Sequence, residues 1–304
     1  MPRFSLSLRP IILAATGTAL LALAGLTAAQ GGPGAECDLL AASPNDPDFA
    51  EAGVNQTDID GPAARDACRA AHEAIPGEPR YTFQLARAEQ KLENYGEARK
   101  LFAAAAEQGY PLAEVGLGIL FDYGLGVEQD YPKAIAHYKA AADAGIGVGL
   151  YNLAGFHLDG YGTRKDPTRA AELYRKAMQA GYADAAGGLA NALHDAWKDG
   201  DDPKPVVDAY IAAADRSIAF AHTVLGHFYR DGSFGLPVDP LAAMSHYHEA
   251  MQLGDDWATL YLSRMLAFSG SWRPENLQGS RKHAENTHRQ RERTSQGSSH
   301  GGTL

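Results

Sequence analysis

Two glycine pairs have the spacing that comes nearest to a ligand-binding motif in this sequence. Gly124-Leu-Gly126 and Gly160-Tyr-Gly162 contain the small residues that let a backbone loop cradle a phosphate group. Both pairs lack the third glycine, the lysine that follows it and the preceding strand on which phosphate binding depends. We therefore interpret them as turns between helices, where glycine adopts positive φ at little cost.

Histidines provide the nearest approach to a metal-binding pattern. His246 and His248 are two residues apart, and on a helix this spacing directs the side chains to different faces, whereas helical zinc pairs are four apart. We interpret both as solvent-facing. Three histidines near the C-terminus, His283, His288 and His300, could hold a transition metal loosely, or they could belong to a solvated polar tail.

Composition and charge limit the function further. The chain has 304 residues, of which 45 % are hydrophobic, and this excludes a fully disordered chain. A net charge of −10 argues against a nucleic-acid partner, because a basic face supplies most of that affinity. No serine lies in a nucleophile pattern with a histidine and an acid near it. The sequence predicts no catalytic residue, no cofactor and no metal site.

The N-terminus has the pattern of a secretory signal peptide. Arg3 and Arg9 precede an apolar stretch from Ile11 to Leu26, and small residues follow it. We expect residues 1–29 to be a signal peptide cleaved after Ala29, although an uncleaved anchor is the alternative. No second apolar run of that length follows, so the mature chain is expected to lack a membrane span and to be periplasmic or secreted.

Export would place the two cysteines in an oxidising compartment. Cys37 and Cys68 are the complete cysteine set and do not form a CxxC motif. One disulfide is the simplest interpretation, and it would contribute roughly 3–4 kcal/mol by restricting the unfolded chain. The alternative is a pair of free, buried thiols.

A repeat of 36 residues organises the middle of the chain. Chance does not place three residue types in register over four units, and the spacing predicts units at 110–145, 146–181, 182–217 and 219–254. The residues in register are Gly109, Gly145 and Gly181; Asp130, Asp166 and Asp202, with Asp239 37 later; and Tyr138, Tyr174 and Tyr210, with Tyr247 37 later.

Each unit is predicted to be a helix, a loop and a second helix. The first helices share a leucine column followed by a small residue: Leu117-Gly118, Leu153-Ala154, Leu189-Ala190 and Leu225-Gly226. The second helices are expected to start at Asp-Pro pairs such as Asp166-Pro167, because Asp accepts from free N–H groups and Pro suits the first helical position. Gly145, Gly181 and Gly254 are expected to end them in the left-handed conformation.

This pattern resembles the Sel-like repeat, a relative of the tetratricopeptide repeat with a longer loop. The resemblance covers 110–254 and implies an all-α fold, a right-handed α-solenoid of stacked helix–loop–helix repeats. The third unit departs from the pattern, since Trp197-Lys-Asp-Gly200 stands in place of Gly-x-Gly. Around the repeats we expect a disulfide-containing cap at 30–76, a tetratricopeptide-like unit at 77–109, a capping helix at 255–268 and a disordered basic tail at 269–304.

The same resemblance implies a concave groove lined by the first helices. Its positions hold aromatic and acidic residues, which favours a basic or amphipathic peptide, although an ordinary solvated helix face is the alternative. The implied residues are Val115, Ile119, Asp122, Tyr123, Tyr151, Leu158, Asp159, Asn191, His194, Asp195, Thr223, His227, Arg230 and Asp231, flanked by Arg87 and Arg264. Tyr229 is expected to be a packing residue, and Trp197, Trp257 and Trp272 likewise.

The resemblance further implies a non-enzymatic scaffold that mediates protein–protein interaction in the bacterial cell envelope. Arginine outnumbers lysine, which favours a GC-rich bacterium and hence the periplasm. An envelope sensor protein is one possible partner. The alternative is an exported enzyme or a peptidoglycan- or β-lactam-binding protein, but such relatives carry a cysteine pair in most repeats, and the repeats here carry none.

Overall fold

The structure is a computed structural model that describes Gly32 and residues 34–269. Over these residues the chain forms thirteen α-helices, one short 3-10 turn and no strand. The predicted signal peptide, Trp272 and the three C-terminal histidines lie outside the described residues. No helix within 34–269 combines the length and the apolar character needed to cross a membrane.

The helices fall into two compact units. The first comprises the described residues up to Leu120 together with Gly124–Glu128, and the second comprises Phe121–Tyr123 and the residues from Gln129 onward. The helices are α1 Ala35–Ala41, α2 Gly61–Ala74, α3 Pro79–Lys91, α4 Tyr95–Glu107, α5 Leu112–Tyr123, α6 Tyr131–Asp143, α7 Gly147–Asp159, α8 Pro167–Gln179, α9 Ala185–Ala196, α10 Lys204–Ala214, α11 Ala219–Asp231, α12 Pro240–Gln252 and α13 Asp256–Ser269.

The start of the first unit is held by a disulfide. Cys37 on α1 and Cys68 on α2 form a disulfide with Cα atoms 4.6 Å apart, which confirms the predicted bond. Both cysteines are fully buried among Ala41, Ala64, Ala71 and the side chains of α3. Helix α1 packs on both α2 and α3, so the two cap helices cover the N-terminal side of α3.

Arg87 on α3 belongs to this cap, and its predicted place at a groove end is wrong. Its side chain is only 5 % exposed. Nη1 donates to the carbonyl oxygen of Ala41 at 2.7 Å, and Nη2 donates to that of Val54 at 2.6 Å. These bonds hold the side chain against the cap loop. The residues around it on α3, from Tyr81 to Glu89, are all buried as well. Desolvation lowers its pKa to about 10.

Helix boundaries in the second unit follow the Asp-Pro and Gly signals. Asp130 and Asp166 each accept a hydrogen bond from the backbone N–H three residues later, at 3.0 and 2.9 Å. Asp239 does the same before Pro240, which begins α12. The third unit differs, because α10 begins at Lys204 and Asp202 accepts from the N–H of that residue. The predicted left-handed glycines are confirmed, with φ of 81° at 145, 88° at 181 and 90° at 254.

The core of the second unit places large side chains against small ones. Tyr138, Tyr210 and Tyr247 on the second helices are at most 1 % exposed. A Cβ on Gly226 would lie 2.6 Å from the Tyr247 ring, so the close approach of α11 and α12 requires a glycine there. Leu153 and Leu225, each beside such a small residue, are buried, and Leu189 of the third unit is half-buried.

The glycine pairs are turns, as predicted. Gly160 and Gly162 have φ of 82° and 61°. A Cβ on Gly162 would lie 2.5 Å from the Cβ of Tyr131 at the start of α6, so the loop of one repeat closes against the helix of the repeat before it. Along the second unit, each helix packs on the helices next to it in the chain, and the fold is an α-solenoid of helix–loop–helix repeats.

Candidate functional site

The first helices of the second unit present one common face, which we call the first-helix face. Successive residues of a helix are rotated by about 100°, so the positions two, five and six after the repeated leucine, and two before it, lie on the side of the helix away from that leucine. Some members are exposed and others half-buried. The face comprises Tyr151, Leu158 and Asp159 on α7; Asn191, His194 and Asp195 on α9; and His227, Arg230 and Asp231 on α11.

His194 lies at the centre of this face in an aromatic surrounding. Its Nδ1 is 3.1 Å from the hydroxyl of Tyr210, and that hydroxyl donates to Asn191 Oδ1 at 2.8 Å. Because the hydroxyl hydrogen goes to Asn191, the hydroxyl accepts from His194 Nδ1–H. The ring also meets Phe234 at 4.9 Å in edge-to-face geometry. Burial lowers the pKa of His194, so the neutral ring keeps Nε2 as an acceptor.

His227, on the next first helix, also lies among aromatic rings. Its ring centroid is 4.6 Å from that of Tyr261 and 5.5 Å from that of Tyr247. Burial, and to a smaller degree the positive charge of Arg230, lowers its pKa. Burial likewise raises the pKa of Tyr247 to about 12. The half-buried rings of this face are therefore uncharged at neutral pH.

Aspartates form an acidic edge at the ends of the first helices. Asp159, Asp195 and Asp231 are spaced by 36 residues, and all three are exposed. Lys165 Nζ lies 2.8 Å from Asp195 Oδ2, and Arg230 contacts Asp231 through two bonds of 2.7 and 2.6 Å. Exposed pairs of this kind contribute little to stability, so they are free to exchange for a partner's charges.

Tyr151 is less accessible than the sequence suggested. Its ring lies 5.5 Å from Tyr174 and 5.1 Å from Tyr182, and the side chain is half-buried. Tyr123, at the end of α5, is 70 % exposed. Beside it, Asp122 accepts from the hydroxyl of Tyr138 at 3.2 Å, and burial raises the pKa of that carboxyl group.

Two residues implied for the groove are not available to a partner. Thr223 is 7 % exposed, and its hydroxyl donates to Asp255 Oδ2 at 2.6 Å, at the start of the next unit. Val115, which belongs to the first unit, is 6 % exposed, while Ile119 in the same unit is half-buried. The position two before the leucine column is thus a packing position on α5 and α11, whereas Tyr151 at the same position on α7 stays half-buried.

The prediction that His246 faces solvent is wrong. Its ring stacks on Tyr229 at 5.5 Å with an interplanar angle of 11°, and its Nδ1 lies 3.1 Å from Nδ1 of His222. Tyr229 itself is 9 % exposed, so its predicted packing role is confirmed. No pattern in the sequence indicated the His222–His246 contact, because it joins two helices across a spacing that the repeat does not share. Within 34–269 no group of three or more His, Cys, Asp or Glu could hold a metal ion.

The two tryptophans that the structure describes differ in their environment. Trp197 packs against Phe234 with ring centroids 4.9 Å apart, as predicted. Trp257 on α13 is 67 % exposed, and its predicted packing role is wrong. Arg264, implied as a groove end, is also exposed on α13. Both residues lie on the last helix that the structure describes.

These features define the class first: over the described residues, the protein is a helical-repeat protein in which consecutive helices pack together. The family model described as Sel1 repeat matches residues 88–110, 111–146, 147–182 and 219–255. The chain therefore contains four Sel1 repeats. The matches begin within the unit upstream of the four predicted repeats, and they omit residues 183–218, which include the atypical third unit.

Solved structures share this fold. A Sel1 repeat protein from Oxalobacter formigenes is 27 % identical, with a TM-score of 0.52 over 62 % of this chain and 76 % of that one. A protective antigen present in uropathogenic Escherichia coli strains, displaying an SLR fold, is 23 % identical, with a TM-score of 0.60 over 86 % of this chain and 55 % of that one. No curated protein matches the sequence.

Proposed function

We propose that the protein is a non-catalytic scaffold that binds a protein or peptide along the first-helix face. Sel1-repeat proteins are generally scaffolds for protein interaction. The observation that carries the proposal is the arrangement around His194, whose ring is fixed by Tyr210 and Phe234 while part of its surface stays accessible. A rigid aromatic group with one open acceptor binds a side chain at a small cost in conformational entropy.

The chemistry of this face selects the partner. Half-buried rings and Leu158 offer apolar contact, and the acidic edge offers carboxylates to Lys or Arg. A peptide with aromatic or aliphatic anchors between basic residues matches both features. The acidic edge is unfavourable for nucleic acid, whose phosphates it would repel.

We place the protein in the periplasm or outside the cell, with a partner in the cell envelope. The disulfide between Cys37 and Cys68 supports this location, because disulfides persist in oxidising compartments. An envelope sensor protein is one partner consistent with a scaffold there. Analysis of the N-terminal residue of the exported protein tests the location, since a cleaved signal peptide would leave Gln30 first.

A peptide selection tests the binding proposal. A displayed library of random twelve-residue peptides is selected against the folded chain, and the dissociation constants of enriched peptides are measured by fluorescence anisotropy. We expect peptides with basic and aromatic residues. The double variant Asp195→Asn with Asp231→Asn should bind them about tenfold more weakly, the range expected when charged contacts are removed.

The matched control removes two exposed acids from second helices. Asp143→Asn with Glu172→Gln also breaks surface ion pairs, those with Lys139 and Arg169, but it leaves the first-helix face unchanged. We expect its affinity to stay within about twofold of wild type, since such pairs contribute little. Equal losses in both double variants, or enrichment of acidic peptides, would contradict the proposed face.

A further inference from the structure

The last described helix, α13, exposes an apolar stripe. At about 100° per residue, Asp256, Trp257, Leu260 and Arg264 lie on one side of the helix. Trp257 is 67 % exposed and Leu260 is 45 % exposed. On the opposite side, Ala258 and Leu262 are buried, and α13 packs on α12 there. Two large apolar side chains are therefore exposed next to each other on one face of α13.

In earlier repeats, the position that Leu260 occupies on α13 contacts the following unit. Leu260 stands two before the leucine column, as do Tyr151, Gly187 and Thr223. Each of these three residues contacts the next unit: Tyr151 meets Tyr182, a Cβ on Gly187 would meet Phe220 at 2.8 Å, and Thr223 bonds Asp255. Among the residues that the structure describes, α13 has no following unit, and the position built for contact is open.

Charges on the same stripe indicate what covers it. Asp256 and Arg264 are exposed and flank Leu260 at equal distances along the helix. Within residues 34–269, neither side chain takes part in an ion pair. If two copies of α13 lie antiparallel about a two-fold axis at Leu260, each Asp256 faces the Arg264 of the other copy. Trp257 then lies opposite the small Ser263, and Leu260 meets its own counterpart.

The N-terminal side of the chain favours this closed arrangement over an open stack. A head-to-tail stack would need a bare helix pair in the first unit to receive α13. In that unit, α1 and α2 cover α3, and the disulfide between Cys37 and Cys68 fixes them. Since only the α13 surface is open among the described residues, the symmetric pairing of two α13 helices is the arrangement that satisfies both its apolar and its charged groups.

We propose that α13 is a self-association surface, on which a second copy of this chain packs antiparallel through Trp257 and Leu260, with Asp256 paired to Arg264 across the interface. The proposal is independent of the first-helix face. Self-association would join two scaffolds and so double the number of first-helix faces in one particle.

Sedimentation analysis of the full chain over about a hundredfold range of concentration tests the pairing. We expect a monomer–dimer equilibrium. Leu260→Asp and Arg264→Asp should each weaken dimerisation at least tenfold. The double variant Asp256→Arg with Arg264→Asp exchanges the charges and should restore it. Thr259→Asp, which adds a charge to α13 outside the stripe, is the matched control and should dimerise like wild type.

A cross-link reports the axis directly. The native cysteines are both in the disulfide, so Leu260→Cys introduces the one free thiol of the described chain. Since residue 260 faces its counterpart, an added oxidant should convert this variant to a covalent dimer, whereas Thr259→Cys should stay monomeric. Circular dichroism of every variant confirms that the helical content is unchanged.

Two outcomes would overturn the proposal. One is a wild-type chain that stays monomeric at every concentration. If a chain shortened to end at Ser269 then dimerises, residues after 269 are what covers the α13 stripe in the full chain, and the proposal is equally overturned. The other is a dimer that survives Leu260→Asp or is not restored by the charge exchange, because the interface would then lie elsewhere.

Discussion

Three tyrosines on first helices test the register of the whole array through alanine substitutions. Tyr229 is 9 % exposed and stacks on His246, while Tyr123 is 70 % exposed. Tyr151 lies between these extremes, with ring contacts to Tyr174 and Tyr182. If the assignment of faces is right, the cost in free energy of unfolding follows burial and not residue type.

The magnitudes follow from these environments. Tyr229→Ala removes a buried ring and leaves a cavity, which should cost about 3–5 kcal/mol. Tyr151→Ala removes two ring pairs, each worth about 0.5–1.5 kcal/mol beyond its buried area, so roughly 1–3 kcal/mol is expected. Tyr123→Ala should change stability by no more than about 0.5 kcal/mol, because an exposed side chain loses little on truncation.

Urea unfolding followed by circular dichroism measures these differences, and the midpoint is read together with the slope because repeat arrays can unfold in steps. Binding of an enriched basic peptide is measured on the same samples. Tyr151→Ala, which removes a ring from the first-helix face, should weaken it by about 1–2 kcal/mol, the loss typical of an aromatic contact residue. A neutral Tyr229→Ala together with a strongly destabilised Tyr123→Ala would refute the register, because a shift by one residue exchanges their roles.

Three further expectations concern the cap and the histidine pair. Reduction of the Cys37–Cys68 bond should destabilise the first unit by about 2–4 kcal/mol, measured by urea unfolding with and without reductant. Arg87→Met leaves two buried carbonyl groups without their donors and should cost roughly 2–4 kcal/mol by the same assay. Desolvation lowers the folded-state pKa of both His222 and His246, so the unfolded chain binds more protons below about pH 6.5. Stability should therefore fall by about 1–2 kcal/mol between pH 7 and 5, and His246→Phe should flatten this dependence; an unchanged pH profile in that variant would assign the acid sensitivity to other groups.

Local signals allowed the helices to be predicted well. The Asp-Pro pair at Asp166 and the glycine at Gly181 act within one turn of the backbone. In the structure, Asp166 caps the start of α8 and Gly181 has positive φ just after its end. The same holds for the tyrosine column, because a 36-residue period reports directly on which face is buried. The prediction failed at Asp202. The third unit also lacks the Gly-x-Gly pattern, and its second helix begins one residue later than the Asp-Pro pair predicts.

Contacts between distant segments were not accessible from the sequence. Arg87 sits at a position that the repeat pattern assigns to the surface, but the cap loop near Val54 folds over it. His246 meets His222 only because α11 and α12 cross at that level. Trp257 was expected to pack because tryptophan usually does, but among the described residues no further helix follows α13 to cover it.

The loop of the second repeat has a consequence for how such a chain can vary. Gly162 closes against Tyr131 of the repeat before it, and the helices that follow touch their neighbours in the chain. A duplicated copy of residues 147–182 inserted after Tyr182 would meet the same neighbours that the original meets, whereas an insertion of a few residues would separate Gly162 from its contact. In-frame recombination can therefore lengthen or shorten the protein by whole repeats, and each added repeat brings one more row of side chains to the first-helix face.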